Sequence, residues 1–247
     1  MTINREDVVY MAMTAKTLAD FPKMIACIHE FASLDPKLDY NEQQLVSFAF
    51  KGALNLRRRA FRYLKSIIIH ENSKDNTERV KQLNLLNNQI LKELHEISHD
   101  IINLIDTKLL VASEDPFNKL FYYIIKGDFY RYMVECPLDE SSVDEFTNKS
   151  RENYLAALEI VNNLPSEKKL TSRALILSLH YGIFLCHVEG NKKDAIAMVN
   201  KVITENEENI EKMENDNDEY SDAMTVLHLM RDHVEIWEND GALNSLE

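Results

Sequence analysis

Chain breakers are scarce in this sequence: Gly and Pro number only 5 each among 247 residues. Strands joined by tight turns need such residues about every eight to twelve positions, so an all-β architecture is excluded. Cysteine is scarce as well. Cys27, Cys136 and Cys186 are odd in number, far apart and in no paired motif. They read as reduced, partly buried thiols of a cytosolic or nuclear protein, not as a disulfide framework. Apolar runs are short, Val8 to Met13 being typical, and none is long enough to cross a bilayer. The first seven residues hold no apolar leader core, so no export signal and no membrane partner are expected. Positive charge is in deficit too. The 28 Lys and Arg face 41 Asp and Glu, a net charge of -13. Such a surface repels a phosphate backbone, which excludes non-specific nucleic-acid binding but still permits a local cationic pocket.

What remains is helix. Hydrophobic residues make up 45% of the chain, enough for a sizeable core. Caps and breakers cut the sequence into about nine helices, beginning with a pair over roughly 5–18 and 22–34. Pro22 suits a first helical turn, and Asp35-Pro36 closes the pair. Asn41 followed by Gln44 resembles a capping box opening a long helix to about Ile69. A second long helix carries one apolar stripe, Leu83, Ile90, Leu94, Ile97, Ile101 and Leu104, at steps of three, four and seven. Further helices are expected from Asp115-Pro116 to about Cys136, from Ser141-Ser142 to about Asn163, from about Thr171 to His187 and from Asn191 to Asn206. The acidic stretch Glu214 to Glu219 reads as a solvated loop. The last helix, about Tyr220 to Asn239, is expected to stop before Gly241, a residue suited to a left-handed C′ position. The predicted fold class is all-α, a continuous array of antiparallel neighbours in one domain over 1–240 with a short tail over 241–247. On pattern alone a solenoid of helical hairpins stays open.

The densest positive cluster is Lys51 to Arg62. On a helix, Lys51, Arg58 and Arg62 stand seven and then four residues apart and share a face. Three cations on one face repel unless an anion sits among them, and guanidinium groups match a phosphate with paired hydrogen bonds. The competing reading is a solvated face neutralised by acids elsewhere. A second segment, Phe121 to Tyr132, sets Arg131 beside Tyr132, whose hydroxyl can complete an anion's hydrogen bonds. By itself it reads equally as an aromatic core stripe with one surface arginine.

Together these strings resemble the 14-3-3 family over about residues 5 to 240. The matching motifs are Phe50-Lys51 with Arg57-Arg58 and Arg62, then Phe121-Tyr122 with Lys126-Gly127-Asp128 and Arg131-Tyr132, then Leu229-Met230-Arg231-Asp232 ending in Trp237. The resemblance implies nine antiparallel helices in a cup-shaped array enclosing an amphipathic groove. It implies a non-catalytic adaptor without cofactors, cytoplasmic, dimeric, with phosphorylated client proteins as partners. The family's phosphate is held by a lysine, two arginines and a tyrosine, matched here by Lys51, Arg58, Arg131 and Tyr132. Lys126 falls in the groove. The apolar wall is matched by Leu179, Ile183, Val226, Leu229 and Ile236, with Thr225 replacing one apolar member.

Departures from that pattern concentrate on histidine. Two asparagines that clamp the bound backbone correspond to His180 and His233, and a glutamate near the pocket arginines to His187. A neutral imidazole cannot donate and accept as one amide does, so an altered peptide register is expected, with binding that tightens as pH falls through the histidine range. At the dimer contact, Asp20 and Lys23 would face Glu93 and Gln89, and Asp20 against Glu93 would repel. Exposed pairs contribute only about 0–1 kcal/mol each, so a homodimer with altered contacts is expected. Ala60 stands where some members carry a phosphorylatable serine. Ser245, in the tail, could serve as a groove ligand if phosphorylated.

A rival motif is His95-Glu96-Ile97-Ser98-His99, which matches H-E-x-x-H, the zinc-protease signature, with Glu114 downstream as a possible third ligand. The apolar stripe would set His95 and His99 on a flank of their helix. A helical scaffold with a decayed phosphopeptide groove is the third reading.

Overall fold

The computed structural model describes residues 4–211 and 218–243. Among them there is no strand, and nine long helices hold most of the described residues. We label them α1 (Arg5–Thr17), α2 (Phe21–Leu34), α3 (Tyr40–Asn72), α4 (Thr77–Leu104), α5 (Pro116–Glu135), α6 (Val143–Asn162), α7 (Ser172–His187), α8 (Lys192–Glu211) and α9 (Asp218–Leu243). None is long and apolar enough to cross a membrane. Beyond these, a π turn over Ile105–Leu109 prolongs α4, and a short helix spans Ser166–Lys169.

Most helix starts follow the local chemistry. Asp20 caps α2 by accepting from Lys23 N at 3.1 Å, with Pro22 in the first turn. The expected capping box on Asn41 and Gln44 is displaced by two residues. Asp39 accepts from Glu42 N at 2.8 Å while the Glu42 carboxylate takes Asp39 N–H at 3.0 Å. Glu42 is further fixed by Arg5 at 2.6 Å, so the acid at that position has a long-range partner that Gln44 lacks. At the other end α9 runs through Gly241 to Leu243, so Gly241 is no helix stop. Asp218 and Glu219 already belong to α9. Most of the acidic loop expected over 214–219 and the tail residues 244–247, including Ser245, lie outside the described residues.

Two compact units divide the chain, one of residues 1–115 with 132–146 and one of 116–131 with 147–247. In the first, α1 packs on α2, α2 on α3, and α3 along α4. Its core includes Met24, Ile28, Phe31, Phe50, Leu54, Leu94 and Ile101, all sealed from solvent. The buried side of α4 is Leu91, Leu94, His95, Ser98, Ile101 and Ile102. In the second unit α8 packs on both α7 and α9. Its core gathers Tyr154, Phe184, Val199, Leu227, Met230 and Trp237.

Candidate functional site

The cationic face of α3 lies in the first unit. Its guanidinium at Arg58 sits over the ring of Tyr132, 4.2 Å from the centroid. The same guanidinium is bonded to the Glu135 carboxylate, one turn beyond Tyr132, and to Asn55 Oδ1 at 3.4 Å. Arg62 reaches the same Glu135 oxygen at 3.8 Å. A ring beneath and a carboxylate beside leave Arg58 one orientation, with only 14% of its side chain exposed. Lys51 stands two turns earlier on α3, half-buried. The structure thus brings Arg58 and Tyr132 together, and adds Glu135, which sequence reasoning passed over.

Arg131 belongs to the second unit and is the residue immediately before Tyr132 in the chain. Its side chain is 6% exposed and sits in a buried polar network. Tyr154 Oη donates to Asp128 Oδ1 at 2.8 Å and accepts from Arg131 Nε at 3.3 Å. Arg131 lies 3.5 Å from Asp128, and His180 Nδ1 lies 3.0 Å from the same carboxylate oxygen. Burial, then the Asp128 charge, pushes the Tyr154 hydroxyl well above its ordinary range, so it is always a donor. Gly127 makes this approach possible, since a Cβ there would stand 2.7 Å from the Tyr154 ring.

His187 and His233 flank Trp237 in the same unit. The Trp237 indole donates to His187 Nε2 at 3.4 Å, and the His233 ring meets Trp237 edge-on at 5.8 Å. His233 Nδ1 is bonded to Leu229 O at 2.8 Å. Of the expected wall residues, Leu229 and Ile236 are exposed at 41% and 55%, Ile183 is half-buried, and Lys126 sits 6.0 Å from the Tyr123 ring centre. Leu179 and Val226 are buried in the core of that unit. Helix packing claims both.

Glu93, Gln89 and Asp20, expected at the dimer contact, have partners within the chain. Arg57 Nε holds Glu93 at 3.2 Å, and Gln89 donates to its other oxygen at 3.2 Å. Asp20 is occupied as the α2 cap, while Lys23 is exposed and Ala60 half-buried.

His95 is buried rather than flanking, because the packed side of α4 is turned by about one residue from the expected stripe. Its Nε2 is bonded to Cys136 O at 3.0 Å, and burial lowers its pKa, so the ring is a neutral donor. His99 packs on Phe146 and Glu114 bonds Lys37. Among the described residues no cluster of three or more His, Cys, Asp or Glu could hold a metal ion. A zinc-protease centre is not assembled here.

A sequence model of the family described as "14-3-3 protein" matches residues 11–238. The chain is similar to the checkpoint signal transducer rad25 of Schizosaccharomyces pombe, 29% identical over 245 residues, covering 99% of this chain and 88% of that protein. A 14-3-3 protein of Giardia intestinalis is 27% identical over 240 residues, covering 96% and 94%. The 14-3-3-like protein GF14 epsilon of Arabidopsis thaliana is 29% identical over 243 residues, covering 97% and 92%. A match that runs through both units of an all-helical chain decides its kinship: it belongs to the 14-3-3 family.

Proposed function

We propose that this chain is an adaptor that binds phosphoserine or phosphothreonine segments of client proteins and regulates them without catalysing a reaction. Family membership supports the class, and the named relatives include a checkpoint signal transducer and 14-3-3 proteins. The observation that carries the site is Arg58, stacked on Tyr132 and held in one orientation by Glu135. A guanidinium fixed in this way is ready for an anion, since its ordering cost is met before the ligand arrives. Lys51 on the same face and Arg131, the residue before Tyr132, complete the proposed cradle. A phosphate carrying nearly two negative charges gains several charge-assisted hydrogen bonds there, and an unphosphorylated hydroxyl gains none. Leu229, Ile236, Ile183 and Lys126, with His180, His187 and His233, are the side chains proposed to meet the rest of the segment.

The chain is proposed to act as one 14-3-3 domain over 1–240, as a cytoplasmic homodimer, with no cofactor and no nucleic-acid or membrane partner. A second reading has one observation in its favour. Glu135 already neutralises Arg58 and reaches Arg62, as a passive scaffold would arrange. An array of paired phosphorylated and unphosphorylated peptides, probed with the purified chain, separates the two. The adaptor retains only phosphorylated members; a scaffold retains both equally or neither.

A further inference from the structure

The face of α3 that carries Lys51 and Arg58 does not end at Lys51. Gln44, Phe48, Lys51 and Asn55 follow one another at steps of four, three and four, and continue into Arg58. Along this face the first unit holds two adjoining depressions. A hollow of about 390 Å³ is bounded by Lys51, Phe48, Gly52 and Phe21. A trough of about 900 Å³ follows it between α1 and the start of α3, lined by Tyr10, Met13, Leu45 and Phe48 among others. The two share Lys16, Gln44 and Phe48 and so form a continuous path that starts at Lys51.

The path is apolar where it is deepest. Its floor is set by Gly52, whose missing Cβ lets the Phe21 ring lie against the α3 backbone; a Cβ would stand 2.2 Å from that ring. Phe21 and Phe48 meet at 5.9 Å between centroids. Tyr10, Met13 and Phe48 are nonetheless 68%, 55% and 42% exposed, so large apolar surface is left open beside a cation. Lys16 Nζ sits 5.0 Å from the Phe48 centroid and makes the rim positive. The acids at the far end are already occupied: Glu42 pairs with Arg5 at 2.6 Å, and Asp39 caps α3. Both acids lie at the end of the path away from Lys51, and Lys16 and Lys51 set positive charge nearest the phosphate.

We propose that this trough is a specificity subsite that receives a large apolar side chain of the same segment whose phosphate binds Lys51 and Arg58. The inference rests on the phosphate reading of those two residues. The spacing follows from helix rise. At about 1.5 Å per residue, Phe48 lies about 4.5 Å and Gln44 about 10 Å from Lys51 along α3. An extended segment advances about 3.3 Å per residue. The apolar side chain therefore stands about one to three residues from the phosphoresidue, on one side only. Leu, Met or Phe fits the lining, and a charged or Gly residue there forgoes the burial.

The test is a scan of fluorescent phosphoserine peptides in a Gly/Ser/Ala background. A single Leu is moved from five residues before the phosphoserine to five after it, and each peptide has an unphosphorylated twin. Anisotropy is read with the full chain as wild type, Phe48→Ala, Met13→Gln and Lys51→Glu, with helix content checked for each. Phosphate-dependent binding by the wild type and its loss in Lys51→Glu are expected throughout. A gain of about ten-fold is expected when Leu lies one to three residues to one side. Phe48→Ala and Met13→Gln should each remove that gain and keep the phosphate dependence. A flat scan in the wild type, or a gain that survives both substitutions, overturns the subsite while leaving the phosphate reading intact. Substitutions that instead shift the oligomer in light scattering without changing the scan assign the trough to a second copy of the chain, and also overturn it. Absence of binding by every phosphorylated peptide removes the phosphate reading itself.

Discussion

Arg58 and Tyr132, seventy-four positions apart in the sequence, meet face to face with 4.2 Å between the guanidinium carbon and the ring centre. A lysine could not reproduce this contact, because stacking needs the flat guanidinium and the carboxylate of Glu135 needs its directed N–H groups. Arg58→Lys should therefore keep the charge yet weaken phosphopeptide binding by about ten-fold or more, as a point charge replaces a fixed fork. Isothermal titration with one phosphopeptide measures it. Equal affinity for both proteins would mean that only net charge matters at this position.

The Asp128 carboxylate has no exposure to solvent and depends on its neighbours for compensation. Tyr154→Phe removes the 2.8 Å donor without changing the packing volume greatly. A buried acceptor left short of a partner costs about 1–3 kcal/mol. Urea unfolding should show a lower midpoint by that amount, with an unchanged slope. No shift in the midpoint would show that the remaining partners satisfy Asp128 alone.

His180 faces Asp128 and Arg131 of α5 and Tyr154 of α6 within its unit. Protonation adds one positive charge to a network that already holds an arginine, so affinity for an anion should rise as pH falls through the histidine range. The phosphate itself begins to lose charge near pH 6, which works in the opposite direction. Between about pH 8 and 6.5 the wild type should tighten by about three- to ten-fold after correction for phosphate ionisation. His180→Asn should be flat over the same range. Parallel curves for the two proteins would exclude His180 as the titrating group.

Burial lowers the His95 pKa, so the folded state holds this ring neutral while the unfolded chain can protonate it. The unfolded state then binds more protons below about pH 6.5, and stability falls as pH falls from there through the lowered native value. Above about pH 6.5 the contribution is fully present. His95→Gln, which offers another donor to Cys136 O, should lose part of the acid sensitivity measured by urea midpoints between pH 7 and 5. An unchanged pH profile would place the sensitivity elsewhere. The same preparation should carry no stoichiometric zinc on metal analysis, since His95 Nε2 is committed to a carbonyl.

Leu18, Tyr63 and Leu85 in the first unit are 73%, 68% and 60% exposed, apolar surface that a second copy could cover. With Glu93 satisfied by Arg57 in its own chain, the acid no longer opposes association. Light scattering at micromolar concentration should give twice the 28.7 kDa chain mass. A mass of one chain would contradict the proposed homodimer.

Much of this was legible in the sequence because helices advertise their ends. Asp20-Phe21-Pro22 and Asp115-Pro116 mark real starts. Where two polar residues compete, the winner depends on tertiary partners: Asp39 and Glu42 cap α3, and Arg5 from another helix fixes Glu42. The stripe on α4 was misread by about one residue because apolar side chains stand on both flanks. Leu85 and Leu86 remain exposed, while Leu91 and Ile102 are buried. That small rotation took His95 from a flank into the core. Motif spacing could name Arg58 and Tyr132 but not Glu135, and Arg131 but not Tyr154, since those contacts join different helices. Leu179 and Val226 show the converse limit, since a position matching a groove wall can be claimed by the core.

The central claim is that Arg58 and Arg131 hold a phosphate. Its most direct measurement is titration of one peptide, phosphorylated and not, into wild type, Arg58→Ala and Arg131→Ala whose folding has been verified by thermal melting. Hydrogen bonds to charged groups contribute about 1.5–3 kcal/mol each. The wild type should therefore bind the phosphorylated form at least about 100-fold more tightly, and each alanine variant should lose nearly all of that preference. Equal affinity of the wild type for both forms, or alanine variants that retain the preference, would contradict the account.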